Sequence, residues 1–316
     1  MIIKKRNKPL PLQKLDAIIP RLSPQFKKLS DMQHEAANRY KGYIGEQKVD
    51  YHLDLLPGNH TILHDVCLAV NGKTFQLDSV IITPHAIFPI EIKNFDGTIT
   101  FDTTFKQCIR NNGDIDTGFR YPITQAETSK LKLTNWLHEH NYHNIPVHYL
   151  IAISEPSTII KVNGDKQAIS EVVMHGEYIP MKIIEIDEKY AHGGHKRMEN
   201  RRIGEMILRA CREFDIDILR KYGVLEKDIV TGVQCPGCGR LGMKRIYNNW
   251  ECRTCGIRSK YAHKRALNDY LLLIRPWITN SECMRFLQLS SRNTATRVLK
   301  SSDLNYDSRS KRWYRN

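Results

Sequence analysis

The chain has 316 residues, with 48 Lys and Arg against 34 Asp and Glu, which gives a formal net charge of +14. This length predicts two or three folded units, and a hydrophobic fraction of 41% excludes a chain that is disordered throughout. Apolar runs stay shorter than the ~20 residues of a membrane helix. No signal-peptide core follows the basic start. We therefore expect a cytoplasmic protein without a membrane partner.

The positive charge is concentrated towards the C-terminus. Residues 217–316 contain 20 Lys and Arg against 8 Asp and Glu and so hold +12 of the net charge. Such an excess predicts a polyanionic partner, and nucleic acid, in particular DNA, is the partner that we expect. An anionic membrane surface is the alternative that charge alone leaves open. No strongly amphipathic, Lys-rich helix supports it.

The first two thirds of the chain have the pattern of an α/β domain. Residues 1–30, rich in Lys and Pro, are predicted to form an N-terminal arm, either extended or held down against the rest of the chain. Apolar periodicity and turn signals then predict, in chain order, a helix over residues 31–56, strands over 61–70, 74–83 and 86–93, a β-ribbon over 98–110, a loop over 111–118, a helix over 122–140, a buried strand over 147–154 and a helix over 198–213. This order predicts an α/β domain over residues 31–215, with a mixed sheet flanked by helices.

Two carboxylates and a lysine lie on the predicted hairpin. Glu91 and Lys93 are two residues apart and therefore share one face of their strand, and the preceding strand can bring Asp78 beside Glu91. Carboxylates of this kind suit Mg²⁺, which lowers the pKa of a bound water and stabilises charge on a phosphate. Lys93 would orient or polarise that water. The alternative is a solvated strand face that carries no chemistry.

Polar residues on the two neighbouring helices belong to the same pattern. Gly42 and Gly45 lie on one helix face and predict a close approach of that helix to the sheet or to a substrate. Glu46 follows directly and can point to the same site, or into solvent. Gln125 lies in the first turn of the helix after the strands, where an ordinary surface position is the alternative.

Together these elements resemble a known family. The segments Gly42-x-x-Gly45-Glu46, Leu77-Asp78, Glu91-Ile92-Lys93-Asn94 and Gln125-Ala126 resemble the nuclease-related domain, NERD. That family is assigned to the PD-(D/E)xK nuclease superfamily, whose fold is shared with restriction endonucleases and archaeal Holliday-junction resolvases. The resemblance covers residues 40–155, about a third of the chain.

The resemblance implies a role for each of these residues. Asp78 and Glu91 would bind Mg²⁺ or Mn²⁺ together with the Ile92 carbonyl, and Lys93 would be the catalytic lysine. Glu46 would be a further catalytic acid near the metal or the phosphate, and Gln125 a supporting catalytic residue. The resemblance also implies a restriction-endonuclease-like fold. It leaves the substrate open.

Four cysteines form two CxxC pairs. Cys235 and Cys238 are separated by thirteen residues from Cys252 and Cys255, and Gly239 or Gly256 follows each pair. Four thiolates at this spacing predict a tetrahedral structural Zn²⁺ site in a zinc ribbon over residues 230–260. Disulfides or an iron–sulfur cluster are the alternatives, and both fit a cytosolic CxxC pair less well.

The ribbon and the residues after it are predicted to bind nucleic acid. Basic residues in the ribbon alternate with Tyr247 and Trp250, a combination that suits phosphate contact and base stacking; the alternative is a solvated surface around one packed Trp. Residues 262–316 are predicted to form a helix-turn-helix with a β-wing, a small winged-helix-like domain that serves either DNA binding or protein docking. The predicted nucleic-acid contacts are Arg240, Lys244, Arg245, Arg292, Asn293, Thr296, Arg297 and Lys300.

The sequence as a whole therefore predicts a Mg²⁺-dependent nuclease with structural Zn²⁺ that hydrolyses phosphodiester bonds, in DNA. The alternative is a DNA-binding or regulatory protein with a decayed nuclease core. The sequence leaves a monomer and a homodimer equally open.

Overall fold

The computed structural model describes residues 1–113 and 115–315. Asp114 of the predicted loop and Asn316 at the end of the predicted C-terminal domain lie outside the described residues. The chain divides into two compact units. Unit 1 is Met1–Lys8 with Arg39–Phe214, and unit 2 is Pro9–Asn38 with Asp215–Asn316. The domain boundaries predicted from the sequence stay a prediction.

The helices are numbered in chain order. They are α1 Leu10–Ile18, α2 Leu29–Leu53, α3 Pro122–Glu139, α4 Lys166–Ser170, α5 Ile179–His192, α6 Asn200–Ala210, α7 Ile218–Tyr222, α8 Ala262–Leu273, α9 Asn280–Phe286 and α10 Arg292–Lys300, with 3₁₀ turns at Ile19–Arg21, Gly176–Tyr178 and Glu226–Asp228. Within the described ranges, none of these helices has both the length and the apolar character needed to cross a bilayer.

The strands are numbered in the same way. They are β1 Ile2–Lys4, β2 Thr61–Val70, β3 Lys73–Ile82, β4 Ile87–Lys93, β5 Thr98–Asp102, β6 Gln107–Asn111, β7 Asp116–Phe119, β8 Leu150–Ile153, β9 Ile159–Asn163, β10 Val173–His175, β11 Lys244–Ile246, β12 Asn249–Glu251, β13 Arg258–Ser259, β14 Trp277–Ile278, β15 Asn305–Asp307 and β16 Arg312–Tyr314.

Unit 1 is built on a mixed sheet with the order β1-β2-β3-β4-β8-β10. The hairpins β2–β3 and β3–β4 are antiparallel, whereas β1–β2, β4–β8 and β8–β10 are parallel. The Asn71-Gly72 turn joins β2 to β3, as the sequence predicts, with both residues at positive φ. The predicted α/β architecture, a mixed sheet flanked by helices, is thereby confirmed.

Both faces of this sheet are covered by helices because its strands are apolar on both sides. On one face Val80, Ile82 and Ile87 pack with α3 and α6, in a core that includes Trp136 and Ile203. On the other face Ile81, Phe88, Ile90 and Ile92 pack with α5 and the second half of α2. Ile90 and Ile92 are therefore buried, as predicted, while Glu91 and Lys93 lie on the face of α3.

A second sheet of unit 1 has the order β7-β6-β5-β9. Strands β5 and β6 correspond to the predicted ribbon over residues 98–110. The loop predicted over residues 111–118 is wrong at its C-terminal end, because Asp116–Phe119 pairs with β6 from Asn111 to Cys108. The polar, Gly-containing sequence indicates a loop, whereas backbone pairing at a sheet edge tolerates such residues.

Unit 2 has one continuous core. It joins α1, α7, α8, α9 and α10 with the three-stranded sheets β11-β12-β13 and β14-β16-β15. Thr279 caps α9 through the Glu282 amide, and Ser291 caps α10 through the Thr294 amide. The two helices are followed by the β15–β16 hairpin, in which Trp313 is buried, and the winged-helix-like domain stays a prediction.

The extended alternative for the N-terminal arm is wrong for residues 10–18, which form α1. Leu12, Leu15 and Ile18 recur at helical spacing, and all three are buried. The Lys and Pro content around them conceals this period, although Pro11 lies in the first turn, where proline is tolerated. Arg21 then forms a buried ion pair with Asp269 at 2.8 Å.

Candidate active site and zinc centre

The main sheet opens around Asp78. Pairing of β2 with β3 is interrupted at Asp65, which has a φ of 52° and lies between the pairs His64↔Ser79 and Val66↔Leu77. Pairing of β3 with β4 stops at Ser79↔Ile90. Beyond that point the Ile92 amide donates to the Asp78 carboxylate, with N···Oδ2 at 2.8 Å. Asp78 is therefore free of regular pairing on both sides and lies beside β4, where the sequence predicts it.

Glu91, Lys93 and Gln125 form a closed triangle of hydrogen bonds. Lys93 Nζ donates to Glu91 Oε1 at 2.7 Å and to Gln125 Oε1 at 3.1 Å. Gln125 Nε2 donates to Glu91 Oε1 at 2.6 Å. Glu91 is buried, whereas 22% of the Lys93 side chain is exposed, so the lysine is the member that solvent or a ligand can reach.

The Ile92 carbonyl is directed towards Asp78. The Ser154 amide donates to the Lys93 carbonyl at 3.0 Å, so the carbonyl of Lys93 faces β8. Because successive residues of a strand turn their carbonyls to opposite edges, the Ile92 carbonyl faces β3, the side on which its own amide meets Asp78. Asp78, Glu91 and this carbonyl all offer oxygen atoms, which is the donor type that Mg²⁺ and Mn²⁺ prefer.

Helix α2 brings Glu46 to the same end of the sheet. A Cβ at Gly45 would lie 2.5 Å from Asn94 Cβ and 2.7 Å from Ser154 Oγ, so only glycine permits this approach. Among the described residues, a Cβ at Gly42 would meet nothing within 4 Å, so the predicted close approach to the sheet is confirmed at Gly45 and not at Gly42, where the alternative of a substrate stays a prediction. Glu46 does not join the triangle; its Oε2 accepts from Arg6 Nη1 at 2.6 Å.

The three carboxyl groups resist ionisation. Burial, followed by the charge of Asp78, raises the pKa of Glu91 to about 7 and that of Glu46 to about 8. Burial also raises the pKa of Asp78, although the hydrogen bond from the Ile92 amide and the charge of Lys93 oppose this. A bound cation relieves this repulsion, so the site is electrostatically suited to one.

Sequence reasoning missed several polar residues that surround these groups. Arg6, Asp50, His64, Asp65 and Ser79 all lie next to the predicted site residues. Asp50 follows Glu46 by four residues, so the spacing of one helix face could have identified it. Arg6 has no local signal, because it contacts residues forty or more positions away in the chain.

Residues 41–154 match the family model of the Nuclease-related domain. The matched segment contains Glu46, Asp78, Glu91, Lys93 and Gln125. The chain contains a nuclease-related domain. No curated protein and no solved structure matches the chain.

The four CxxC cysteines lie outside the segment that matches the nuclease-related domain and form a cluster whose geometry fits a metal ion. Cys235 Sγ is 3.6 Å from Cys255 Sγ, and Cys238 Sγ is 3.6 Å from Cys252 Sγ. All four sulfurs lie within 4.8 Å of one another. Within residues 1–113 and 115–315, no other group of three or more His, Cys, Asp or Glu side chains has its ligand atoms this close together. Four thiolates fit structural Zn²⁺.

The local backbone explains why these cysteines converge. Gly239 and Gly256 have φ values of 72° and 70°, a conformation that glycine adopts without strain. The tight turns direct amides towards sulfur: Gly237 N lies 3.4 Å from Cys235 Sγ. The amides of Cys255 and Thr254 lower the pKa of Cys252 to about 6, which favours the thiolate that a metal requires.

The predicted nucleic-acid contacts of unit 2 differ in their availability. Six are exposed, namely Arg240, Lys244, Arg292, Asn293, Arg297 and Lys300. Thr296 is half-buried, and its hydroxyl donates to the Arg292 carbonyl at 3.0 Å. Arg245 is half-buried, with its guanidinium 5.3 Å from the Trp250 ring centre. Both are restrained within the fold.

The two aromatic residues of the ribbon have different environments. Trp250 is fully buried and donates from Nε1 to His263 Nδ1 at 3.0 Å, so the stacking role predicted for it is wrong. Tyr247 is 91% exposed and remains available to a base. The alternative of one packed Trp under a basic surface therefore holds for Trp250.

Proposed function

We propose that this protein is a metal-dependent nuclease that hydrolyses phosphodiester bonds in DNA. The observation that carries the proposal is the joint arrangement of Asp78 with the Glu91–Lys93–Gln125 triangle inside the nuclease-related domain. A strand face without chemistry would leave these side chains in solvent. Here Glu91 is buried, and the lysine stays accessible. The arrangement accords with the PD-(D/E)xK superfamily.

Each residue of the site has a distinct role in this proposal. Asp78, Glu91 and the Ile92 carbonyl hold Mg²⁺ or Mn²⁺, which when bound stabilises charge on the phosphate and lowers the pKa of a water. Lys93 offers a cationic N–H to that water or to a phosphate oxygen. Gln125 holds Lys93 and Glu91 in register through its amide. Glu46 adds a carboxylate at the edge of the site.

Unit 2 supplies DNA affinity in this proposal. Its net positive charge and the exposed side chains of the ribbon and of α10 support phosphate contacts, while the cysteine cluster holds structural Zn²⁺. The proposed domains are the nuclease-related α/β domain at residues 31–215, the zinc ribbon at 230–260 and the winged-helix-like domain at 262–316. Free cysteines accord with a cytoplasmic location. Action as a homodimer would place two sites on opposite strands of a duplex.

A cleavage assay on labelled substrates tests the proposal. The panel comprises duplex DNA, single-stranded DNA, a flap, a four-way junction and RNA, each with Mg²⁺, with Mn²⁺ and with a chelator. We expect metal-dependent cleavage of at least one DNA substrate and its loss in Glu91→Gln. Binding without cleavage of any substrate would contradict the proposal and favour a DNA-binding protein with a decayed core.

A further inference from the structure

Arg6 joins the N-terminal segment of unit 1 to the carboxylates of the candidate site. Its guanidinium donates from Nη1 to Glu46 Oε2 at 2.6 Å and from Nε to Asp50 Oδ2 at 2.7 Å. From Nη2 it donates to Asp50 Oδ1 at 3.0 Å and to the Asp78 carbonyl at 2.7 Å. The side chain is only 3% exposed. One guanidinium thus connects two acids of α2 with the backbone of β3.

These contacts exclude Arg6 as a direct ligand of the substrate phosphate. A guanidinium has five N–H donors, and protein acceptors engage all three of its nitrogens. The side chain is only 3% exposed, so its guanidinium is directed at these protein acceptors and not at solvent. The bidentate contact with Asp50 also fixes the plane of the guanidinium, which a lysine could not reproduce.

A further hydrogen-bonded layer holds Asp50 in place. His64 Nδ1 lies 3.0 Å from Asp50 Oδ1 and 2.9 Å from Ser79 Oγ. Arg6 Nη2 also donates to Ser79 Oγ at 3.0 Å. Asp50 is therefore engaged by both Arg6 and His64, whereas Glu46, one helical turn earlier, accepts from Arg6 Nη1 through Oε2, and its Oε1 has no hydrogen-bond partner among residues 1–113 and 115–315.

We propose that Arg6 is a positioning residue that holds the Glu46 carboxylate at the Asp78 end of β3, so that the first eight residues of the chain complete the active site. This inference rests on the proposed nuclease function. Without Arg6, Glu46 would lose its cation and its orientation, and it would rotate towards solvent, away from the buried acids.

The test compares kcat, KM for DNA and Mn²⁺ affinity, the last by calorimetry, in wild type, Arg6→Ala, Glu46→Gln and the double variant. Lys5→Ala is the matched control, since Lys5 is an exposed neighbouring cation. We expect Arg6→Ala to lower kcat by about 10- to 100-fold and to weaken Mn²⁺ binding, with KM unchanged, as is typical of residues that orient metal ligands. Lys5→Ala should match wild type.

The double variant decides whether Arg6 acts through Glu46. Arg6→Ala should add little to Glu46→Gln, because the residue that it positions is already altered. Additive losses, or an Arg6→Ala variant with wild-type kcat and Mn²⁺ affinity, would overturn the inference while leaving a working nuclease. A wild type that neither cleaves DNA nor binds Mn²⁺ would overturn the proposed function and the inference with it. If Arg6→Ala fails to fold, Arg6→Lys replaces it in the same measurements. Lysine keeps the positive charge but loses the bidentate contact with Asp50.

Discussion

Single residues in the candidate site are held in protonation states that depend on one another. Burial disfavours ionisation of Glu46, Asp78 and Glu91, and the charge of Asp78 disfavours that of both glutamates. Lys93 and Arg6 each offset part of this repulsion. The protein therefore retains buried carboxyl groups that are poised to lose protons when a cation arrives, which is how metal binding couples to pH.

The raised pKa values predict how stability depends on pH in the metal-free protein. A glutamate has a pKa of about 4.3 in an unfolded chain, whereas Glu91 titrates at about 7 and Glu46 at about 8 in the folded one. Their contribution to stability is fully present below the unfolded pKa and is lost as pH rises through the folded pKa. The free energy of unfolding should therefore fall between about pH 5 and pH 9.

Urea unfolding of metal-free protein across this pH range measures the effect. Glu46→Gln should flatten the upper part of the profile, because the amide does not titrate, and added Mg²⁺ should stabilise wild type more at the alkaline end. Identical profiles for wild type and Glu46→Gln would contradict the assignment of the pKa near 8 to Glu46.

The sequence predicts those residues of the candidate site whose spacing follows the periodicity of a strand. Glu91 and Lys93 alternate with buried isoleucines on one strand, and Asp78 follows from the hairpin register, so strand periodicity brings them together. Arg6 and Asp65 could not be predicted in this way. Arg6 meets Asp78 across 72 residues, and Asp65 enters the site through a local φ of 52° that its residue type does not specify.

Among the elements, α2 has a close fit, because its backbone passes against the ends of β4 and β8 at Gly45. Gly45→Ala should lower the free energy of unfolding by ~1–3 kcal/mol, since the new methyl would overlap Asn94 and Ser154. Gly42→Ala should raise it by ~0.5–1 kcal/mol, because alanine favours the helix and the space is open. Denaturant unfolding of the two variants measures both effects. Equal effects would contradict the close approach.

The four-cysteine cluster fits structural zinc, so metal should stabilise the segment that contains it. We expect one Zn²⁺ per chain by elemental analysis, lost in Cys235→Ser and Cys252→Ser, with a lower Tm because zinc binding supplies folding free energy. Cys211→Ser, which alters a half-buried cysteine outside the cluster, should retain the metal. Full zinc content in Cys252→Ser would exclude the four-thiolate site.

The sequence predicts helices and strands correctly where a single hydrophobic periodicity dominates the segment. The β2–β3 hairpin, α3 and the helix pair α9–α10 all follow from alternation, caps or turn residues. Helix α1 was missed because lysines and prolines interrupt its apolar period. Strand β7 was missed because its residues are polar and its pairing with β6 is set by an edge that the sequence does not reveal.

At the scale of the whole molecule, positive charge and the candidate active site lie in different parts of the chain. Unit 1 contains the candidate active site, whereas most of the net positive charge belongs to the C-terminal residues of unit 2. Buried acids repel a polyanion and an exposed basic surface attracts it, so cleavage and affinity should respond to different mutations.

This separation predicts the salt dependence of DNA binding. Arg297→Ala and Lys300→Ala, which remove exposed cations of α10, should weaken binding and reduce the slope of log Kd against log salt by about 1 each, the change expected for one phosphate contact. Lys166→Ala, an equal charge change in unit 1, should leave the slope unaltered. Fluorescence anisotropy over a range of NaCl concentrations provides the measurement. Unchanged slopes in both α10 variants would exclude that helix from the interface.

The most direct test of the nuclease function compares Lys93→Ala with Lys73→Ala. Both variants lose one lysine of the main sheet, but Lys73 is exposed and pairs with Val70 at the far end of β3. DNA cleavage with Mg²⁺ and DNA affinity are measured side by side. We predict that Lys93→Ala abolishes cleavage and binds DNA as wild type does, and that Lys73→Ala retains both. Undiminished cleavage by Lys93→Ala would contradict the active site, and equal losses in the two variants would show that the effect is one of stability.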